Sequence, residues 1–397
     1  MKSVCLPVQP PVAPLMPGHL GFVTSTPFNV ADGSGTYVGI SVLVRALERR
    51  QVRVQVHTAD FWFPSLTLRR ILFNLVVARR LRSAGYDWVV GFDLDGFHYG
   101  RAKTAPYVAS IKGVIADELK NEKGTVRALL GVQAALERLA VQRADVVVAT
   151  SRYSRDQIVR AYGIAQGKIV LVPEPIDLAT WSAGGHSEGP RAAGPPAILT
   201  VAHMYPRKNL GTLLGAYAHL QAAGIPFEGW IVGDGPCREA WERLRDRLGL
   251  RAQVTFLGTI PRRDLVRRYR EASVFCLPSR QEGFGIVFLE AMASGLPVVA
   301  ARAAAVPETV AEGEVGLLAD PDDPAEMADA LGRLLGDPVL RADLGAAGRR
   351  RVERYRADRV AGQFLTSVRD ALTGAVPRAV VGADAVPCAD RIAAGGP

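Results

Sequence analysis

Cysteine is scarce and scattered in this sequence. Only Cys5, Cys237, Cys276 and Cys388 occur in 397 residues, with no Cys-x-x-Cys pair and no metal-like spacing. A disulfide-stapled scaffold is excluded, and free thiols in a reducing compartment are expected. Long hydrophobic runs are missing too. No stretch of 18 apolar residues occurs, and MKSVCLPVQPP at the start lacks the apolar segment of a secretory signal. The expectation is a cytoplasmic protein. Aromatics are only 7% of the chain, and they do not interleave with the arginine clusters at 69–70, 79–80, 262–263 and 349–351. A nucleic-acid platform needs that interleaving, so nucleic acid is not expected as a partner. Acidic residues are outnumbered, 39 against 48 Lys and Arg, leaving a net charge of +9. Such a balance favours anionic ligands or surfaces. The arginine clusters themselves read as solvated helix faces.

What is present is a globular composition, 48% hydrophobic and 22% charged, in a chain too long for one ordinary core. Short apolar runs alternate with helical patterns. HLGFVTST (19–26), VRVQVHTAD (52–60), YDWVVGFD (86–93), ADVVVAT (144–150) and KIVLVPEPID (168–177) read as strands. Between them 37–50, 65–83, about 125–142 and 151–163 read as helices. Residues 182–196, SAGGHSEGPRAAGPP, have a linker's composition. The alternation then restarts and runs through PAEMADALGRLLGD. Repeated strand–helix units predict an α/β fold of two doubly wound, parallel-sheet, Rossmann-like domains facing each other across a cleft. The expected boundaries are 1–185, 186–373 and a flexible tail over 374–397.

One stretch carries the chemistry: RQEGFGIVFLEAMASGLPVVA, residues 280–300. Gly283 and Gly285 allow a sharp turn and a close backbone approach to a ligand. A helix is predicted from Ile286, ended by Gly295 and Pro297. Amides at a helix start bind phosphate. Glu290 lies about 6–7 Å further along the axis, roughly the step from a diphosphate to a ribose. Glu282, on the loop side, faces the other end of such a ligand. Its flanks make Glu290 a buried carboxylate, which is costly unless paired or bound. Two surface glutamates would be the plainer reading.

EGFGIVFLEAMASGLPVVA resembles the Glu-x7-Glu segment of retaining glycosyltransferases of the large family four group, whose two Rossmann-like domains form the GT-B fold. VAHMYPRKNLGTLL (201–214), WIVGDGP (230–236), VTFLGTI (254–260) and VPETV…VGLLADP (306–321) resemble further blocks of that family, in order. The resemblance implies transfer of a hexose from a nucleoside-diphosphate sugar to a hydroxyl acceptor, with no cofactor and no bound metal. It implies that Glu290 accepts ribose hydroxyls and that Glu282 contacts the donor sugar. Amides around Phe284, Gly285 and Ile286 would hold sugar and phosphate, and Lys208 with Arg207 would neutralise the diphosphate. Gly233 lies in a donor-side block, and Thr259 with Ile260 would meet the base. Two departures stand out. Ala202-His203 replaces the family's Gly-Arg, so His203 is either a titratable substitute for a phosphate cation or structural. Ala304-Ala305-Val306 replaces a glycine pair.

The N-terminal half resembles the family more loosely. Gly33, Ser34, Gly35 and Thr36 occupy the place of a glycine-rich loop facing the donor phosphates; a plain loop is the alternative. Lys112 takes the place of a family histidine, and His98 is a second candidate. Asp93 and Asp95 form an Asp-x-Asp like the metal site of the other major glycosyltransferase fold. The C-terminal blocks argue against that fold, so both are expected to line the cleft on the acceptor side. The helix 65–83 is apolar with arginines at its edges. Some relatives dock on anionic membranes through such a helix, which would place the protein on the inner membrane face; a buried packing helix is the alternative. Rival functions are a nucleotide-sugar epimerase or phosphorylase of the same fold, and a non-catalytic nucleotide-sugar-binding protein.

Overall fold

The computed structural model describes residues 16–26, 34–59, 61, 63–182 and 194–375. Gly33, Cys5, Cys388, most of the expected linker and nearly all of the expected tail lie outside the described residues. Cys237 and Cys276 are free thiols.

The apolar runs form two parallel six-stranded sheets. The first contains β1 (His19–Thr24), β2 (Arg53–Thr58), β3 (Trp88–Phe92), β4 (Tyr107–Ile111), β5 (Val146–Ala149) and β6 (Ile169–Leu171), in the order β2-β1-β3-β4-β5-β6. The second contains β7 (Ala197–Val201), β8 (Glu228–Val232), β9 (Val254–Gly258), β10 (Val274–Leu277), β11 (Val298–Ala301) and β12 (Gly316–Ala319), in the order β12-β11-β10-β7-β8-β9. β3, β4, β5, β10 and β11 are buried along their whole length. A parallel sheet covered on both faces demands that, which is why these strands read as unbroken apolar runs. Strand order reverses between β1 and β3 in one sheet and between β7 and β10 in the other. The carboxyl ends of strands at such reversals are where doubly wound folds leave a ligand crevice.

The boundary expected at residue 373 needs correction. The helix Ala357–Thr373 buries Val360, Phe364 and Val368 in the core of the first sheet, beside Ile40 and Leu43 of the helix Ser34–Arg49. Phe364 packs edge-on against Phe22 of β1, with ring centroids 6.5 Å apart. The chain therefore crosses between the sheets twice. The crossings are tied together where Ile176 N donates to Tyr355 O (2.9 Å) and Ala357 N donates to Ile176 O (3.0 Å). The last helix is amphipathic, and the unit it covers is chosen by the exposed face of the first sheet, which local pattern does not reveal.

In the cluster at 349–351, Arg349 and Arg350 are exposed as expected, but Arg351 is not. Arg351 reaches inward, its Nε donating to Thr309 O (3.1 Å) and its Nη2 to Glu308 O (3.1 Å). Arg349 lies against Gly295, whose φ of +77° ends the preceding helix as expected.

Candidate active site

The second sheet's reversal brings two loops together, 202–209 after β7 and 278–285 after β10. Arg280 N donates to Arg207 O (2.9 Å), which fixes their register. Arg207 and Lys208 therefore emerge beside Glu282. Gly285, with φ +85°, turns the chain into the helix Ile286–Ser294. That helix starts where the sequence predicts, with its first amides at the crevice. Phe284 is buried, and its carbonyl accepts from Thr309 Oγ1 (2.9 Å).

Lys208 Nζ contacts Glu282 Oε1 at 2.5 Å, and Arg207 Nη1 lies 3.9 Å from Oε2. Both oxygens of this buried carboxylate thus face cations. Burial would push the Glu282 carboxyl up, but Lys208 and Arg207 outweigh it and hold it below its ordinary value. Burial pulls the Lys208 ammonium down, opposed by Glu282. Arg207 also reaches across to the first unit, with Nη2 3.5 Å from Glu118 Oε1. The cleft floor is thus an alternating run of charge: Glu118, Arg207, Glu282, Lys208. Its cations are suited to a polyanion, and its carboxylates to hydroxyls.

Glu290 is 4% exposed, as its flanks imply. Protein groups partner it: Tyr269 Oη donates to Oε2 (3.1 Å), and Arg262 Nη1 stands 3.6 Å from Oε1. Burial raises its carboxyl to about 7 against the pull of Arg262 and Tyr269. Arg262 was expected on a solvated face; instead it stacks over Trp181, 4.9 Å from the ring centroid, while Trp181 packs edge-on against Tyr269.

On the first unit, Ser34 and Gly35 open the helix Ser34–Arg49 instead of lying in a free loop. A Cβ on Gly35 would stand 3.4 Å from Ile286 Cγ2, so two helix amino ends meet across the crevice. Thr36 follows on the same first turn. Lys112 forms a buried ion pair with Glu174 (2.8 Å) and lies 5.6 Å from the Phe92 ring centroid. Glu174 is seated against Gly39, where a Cβ would come within 2.2 Å of Oε2.

The aspartate pair divides. Asp93 is half-buried at φ +55°, accepts from Lys112 N (2.9 Å), and is raised by burial to about 6. Asp95 does not line the cleft. It is fully buried and accepts from Ser25 N (2.6 Å), Ser25 Oγ (2.8 Å) and Asn74 Nδ2 (2.7 Å). With its oxygens so occupied it is a structural anchor for the loop after β1. His98 is half-buried, and its carbonyl accepts from Arg82 Nη2 (3.3 Å) in the last turn of the helix Leu66–Ser83. Burial and Arg82, Arg101 and Arg143 pull its imidazole down.

Burial and the Lys208 ammonium also hold the His203 imidazole below its ordinary value. Gly233, at φ +123°, packs backbone against backbone: a Cβ would come within 2.0 Å of Ala202 O. Thr259 is exposed and Ile260 half-buried just past β9. Sequence reasoning missed Glu118, Glu174, Tyr269 and Arg262. The carboxylates sit in short connections without periodicity, and Arg262 looked like any surface arginine. Among the described residues no group of three or more His, Cys, Asp or Glu could hold a metal ion.

Comparisons with known proteins agree with this architecture. The family described as Glycosyltransferase Family 4 matches residues 38–180, and Glycosyl transferases group 1 matches residues 186–351. The chain is 33% identical over 313 residues to a GDP-mannose-dependent alpha-(1-6)-phosphatidylinositol monomannoside mannosyltransferase of Mycolicibacterium smegmatis, covering 76% of this chain and 79% of that protein. It is 36% identical over 254 residues to a D-inositol 3-phosphate glycosyltransferase of Acidothermus cellulolyticus, covering 59% of this chain and 56% of that one. Among solved structures, sucrose-phosphate synthase from Thermosynechococcus elongatus superposes with a TM-score of 0.76 at 22% identity, covering 90% of this chain and 99% of that chain. The chain belongs to glycosyltransferase family four and is a glycosyltransferase of the GT-B fold.

Proposed function

We propose that this enzyme transfers a hexose, with retention of configuration, from a nucleoside-diphosphate sugar to a hydroxyl of a polyol-headed lipid at an anionic membrane surface. The observation that carries the reading is the cleft-floor network Glu118–Arg207–Glu282–Lys208 beside the start of the helix Ile286–Ser294. When the donor binds, Arg207, Lys208 and the helix amides would take the diphosphate, and Glu282 would accept hydroxyls of the sugar. The bond from the anomeric carbon to the phosphate oxygen breaks as the acceptor oxygen bonds the same face. The acceptor's proton passes to the departing diphosphate. Cations placed where the leaving-group charge grows lower the barrier. Both Glu282 oxygens face cations, which weakens the carboxylate as a nucleophile and favours this front-face route over a covalent intermediate. The charge of the leaving group is met by side chains, so turnover is expected to survive chelation of divalent ions.

The relatives named for phosphatidylinositol monomannoside and D-inositol 3-phosphate support an inositol-type polyol acceptor. The membrane surface is supported by the helix Leu66–Ser83. It buries Phe73, Val77 and Leu81 yet leaves Leu68, Leu72, Leu75 and Val76 exposed, and it carries five arginines and no acidic residue. The neighbouring helix Gly124–Arg143, joined to it by Gln133 and Thr67 (2.9 Å), exposes Val126 and Leu129 beside Lys123 and Arg127. Apolar residues framed by cations match an anionic lipid interface. No helix of the described residues is long and apolar enough to cross a membrane.

Incubation with UDP-, GDP- and ADP-hexoses should give nucleoside-diphosphate release that rises with a polyol-lipid acceptor, and an axial or equatorial product linkage matching the donor. Lys208→Ala should lower kcat about 100-fold or more. Inverted product, or release indifferent to acceptor, refutes the transfer reading. Vesicle sedimentation with phosphatidylglycerol tests the surface: Leu72→Asp/Val76→Asp should abolish binding and leave turnover of a water-soluble acceptor intact.

A further inference from the structure

The turn after Glu282 has three consecutive carbonyls, and each is satisfied differently. Glu282 O accepts from Ala305 N (3.3 Å) and Phe284 O from Thr309 Oγ1 (2.9 Å), both within the second unit. The carbonyl between them turns to the first unit. Gly283 O lies 3.1 Å from Thr150 Oγ1, 2.7 Å from Ser151 Oγ and 3.0 Å from Ser154 Oγ, at the junction of β5 and the helix Arg152–Tyr162. An acceptor with two lone pairs takes two of these donors at once. The third hydroxyl is spare, because Ser151 and Ser154 also bond each other (3.0 Å).

A second contact lies alongside. The amino end of that helix has backbone donors without intrahelical partners, and the opposite unit fills them. Glu308 Oε2 accepts from Arg152 N (2.9 Å), and Oε1 accepts from Tyr153 N (2.7 Å). A negative side chain of one unit thus caps a positive helix end of the other.

Gly283 itself explains why the turn must be bare here. Unlike Gly285 it is not in the positive-φ region. Its requirement is space: a Cβ would stand 2.5 Å from Lys112 O of the first unit. The sequence expectation that Gly283 makes room for a ligand is therefore replaced by close docking of the two units.

We propose that Thr150, Ser151, Ser154 and Glu308 form a closure latch whose hydroxyls are positioning residues for the transfer reaction, acting through the Gly283 carbonyl to orient Glu282. This rests on the role assigned above to Glu282. Closure engages the peptide that follows Glu282, so the carboxylate reaches its working orientation only when first and second units meet. Opening releases the Gly283 carbonyl to water and frees the turn, which lets donor in and product out. Domain closure and assembly of the donor site become one event.

Three variants test the latch: Gly283→Ala, Thr150→Val/Ser154→Ala, which keeps the Ser151 cap, and Thr150→Ser as the conservative control. Small-angle X-ray scattering with and without GDP or UDP reads closure; steady-state kinetics read kcat and donor KM separately. Gly283→Ala and the double variant should expand the particle and lower kcat about 10- to 100-fold, with donor KM within about threefold, because misplacement of a positioned group acts on the reacting geometry. Thr150→Ser should behave as wild type. Scattering and kcat equal to wild type in both disruptive variants would overturn the latch. So would an equal loss in Thr150→Ser. Should the wild-type enzyme release no nucleoside diphosphate from any donor, the transfer reading fails, and the scattering comparison alone still decides the latch.

Discussion

Replacing Glu290 by glutamine isolates an electrostatic cost that the fold carries. The carboxyl is 4% exposed, with one tyrosine hydroxyl at 3.1 Å and one guanidinium at 3.6 Å as partners. Those partners do not offset its desolvation, and it titrates at about 7 where an unburied glutamate titrates at 4.5. Each pH unit between those values is worth about 1.4 kcal/mol, so ionising Glu290 in the folded protein costs about 3 kcal/mol. The sign follows from proton uptake. Between 4.5 and 7 the folded chain binds the proton more tightly than the unfolded one, so this stabilisation is full below 4.5 and is lost as pH rises through 7. From pH 5 to pH 8 the single group should remove about 2.5 kcal/mol. Other buried carboxyls titrate as well, so the informative quantity is the difference between wild type and Glu290→Gln. Urea unfolding followed by circular dichroism should show the variant gaining about 2.5 kcal/mol on wild type over that range. A gap constant from pH 5 to pH 8 would refute the reasoning. If ribose hydroxyls donate to the ionised carboxylate, GDP or UDP binding at pH 6 should also release a proton, read calorimetrically as a heat that varies with buffer.

Two further variants probe the first unit. Asp95→Ala removes the acceptor shared by Ser25 and Asn74 in a fully buried position, and urea unfolding should show a loss of about 3–5 kcal/mol; a loss under 1 kcal/mol would mean that the anchor is dispensable. Gly39→Ala must displace the Glu174 carboxyl, whose other oxygen pairs with Lys112, because the new methyl would stand 2.2 Å from Oε2. It should cost about 1–3 kcal/mol and lower Tm, although alanine is the better helix former. An unchanged or higher Tm would show that Glu174 moves aside freely.

The helix turn at Gly285, the helix from Ile286 and the burial of Glu290 were all legible in one short stretch, because each depends on neighbours a few residues away. Lys208 and Glu282 could be named separately, yet their 2.5 Å contact joins residues 74 positions apart. Asp93 and Asp95 looked equivalent in sequence. A left-handed residue at 93 leaves one half-buried beside Lys112, and the fold buries the other under Ser25 and Asn74. Gly283 read as a ligand-facing glycine and proved to be an interdomain one.

The alternation of apolar strands and amphipathic helices by itself determined two parallel sheets, since a run with period 2 or 3.6 is a property of adjacent residues. Only the tertiary structure decided which strands neighbour one another, that the last helix returns to the first sheet, and which charges meet across the cleft. Those outcomes depend on which exposed faces remain to be covered and on the loss of water between distant groups, quantities that exist only once the chain has closed on itself.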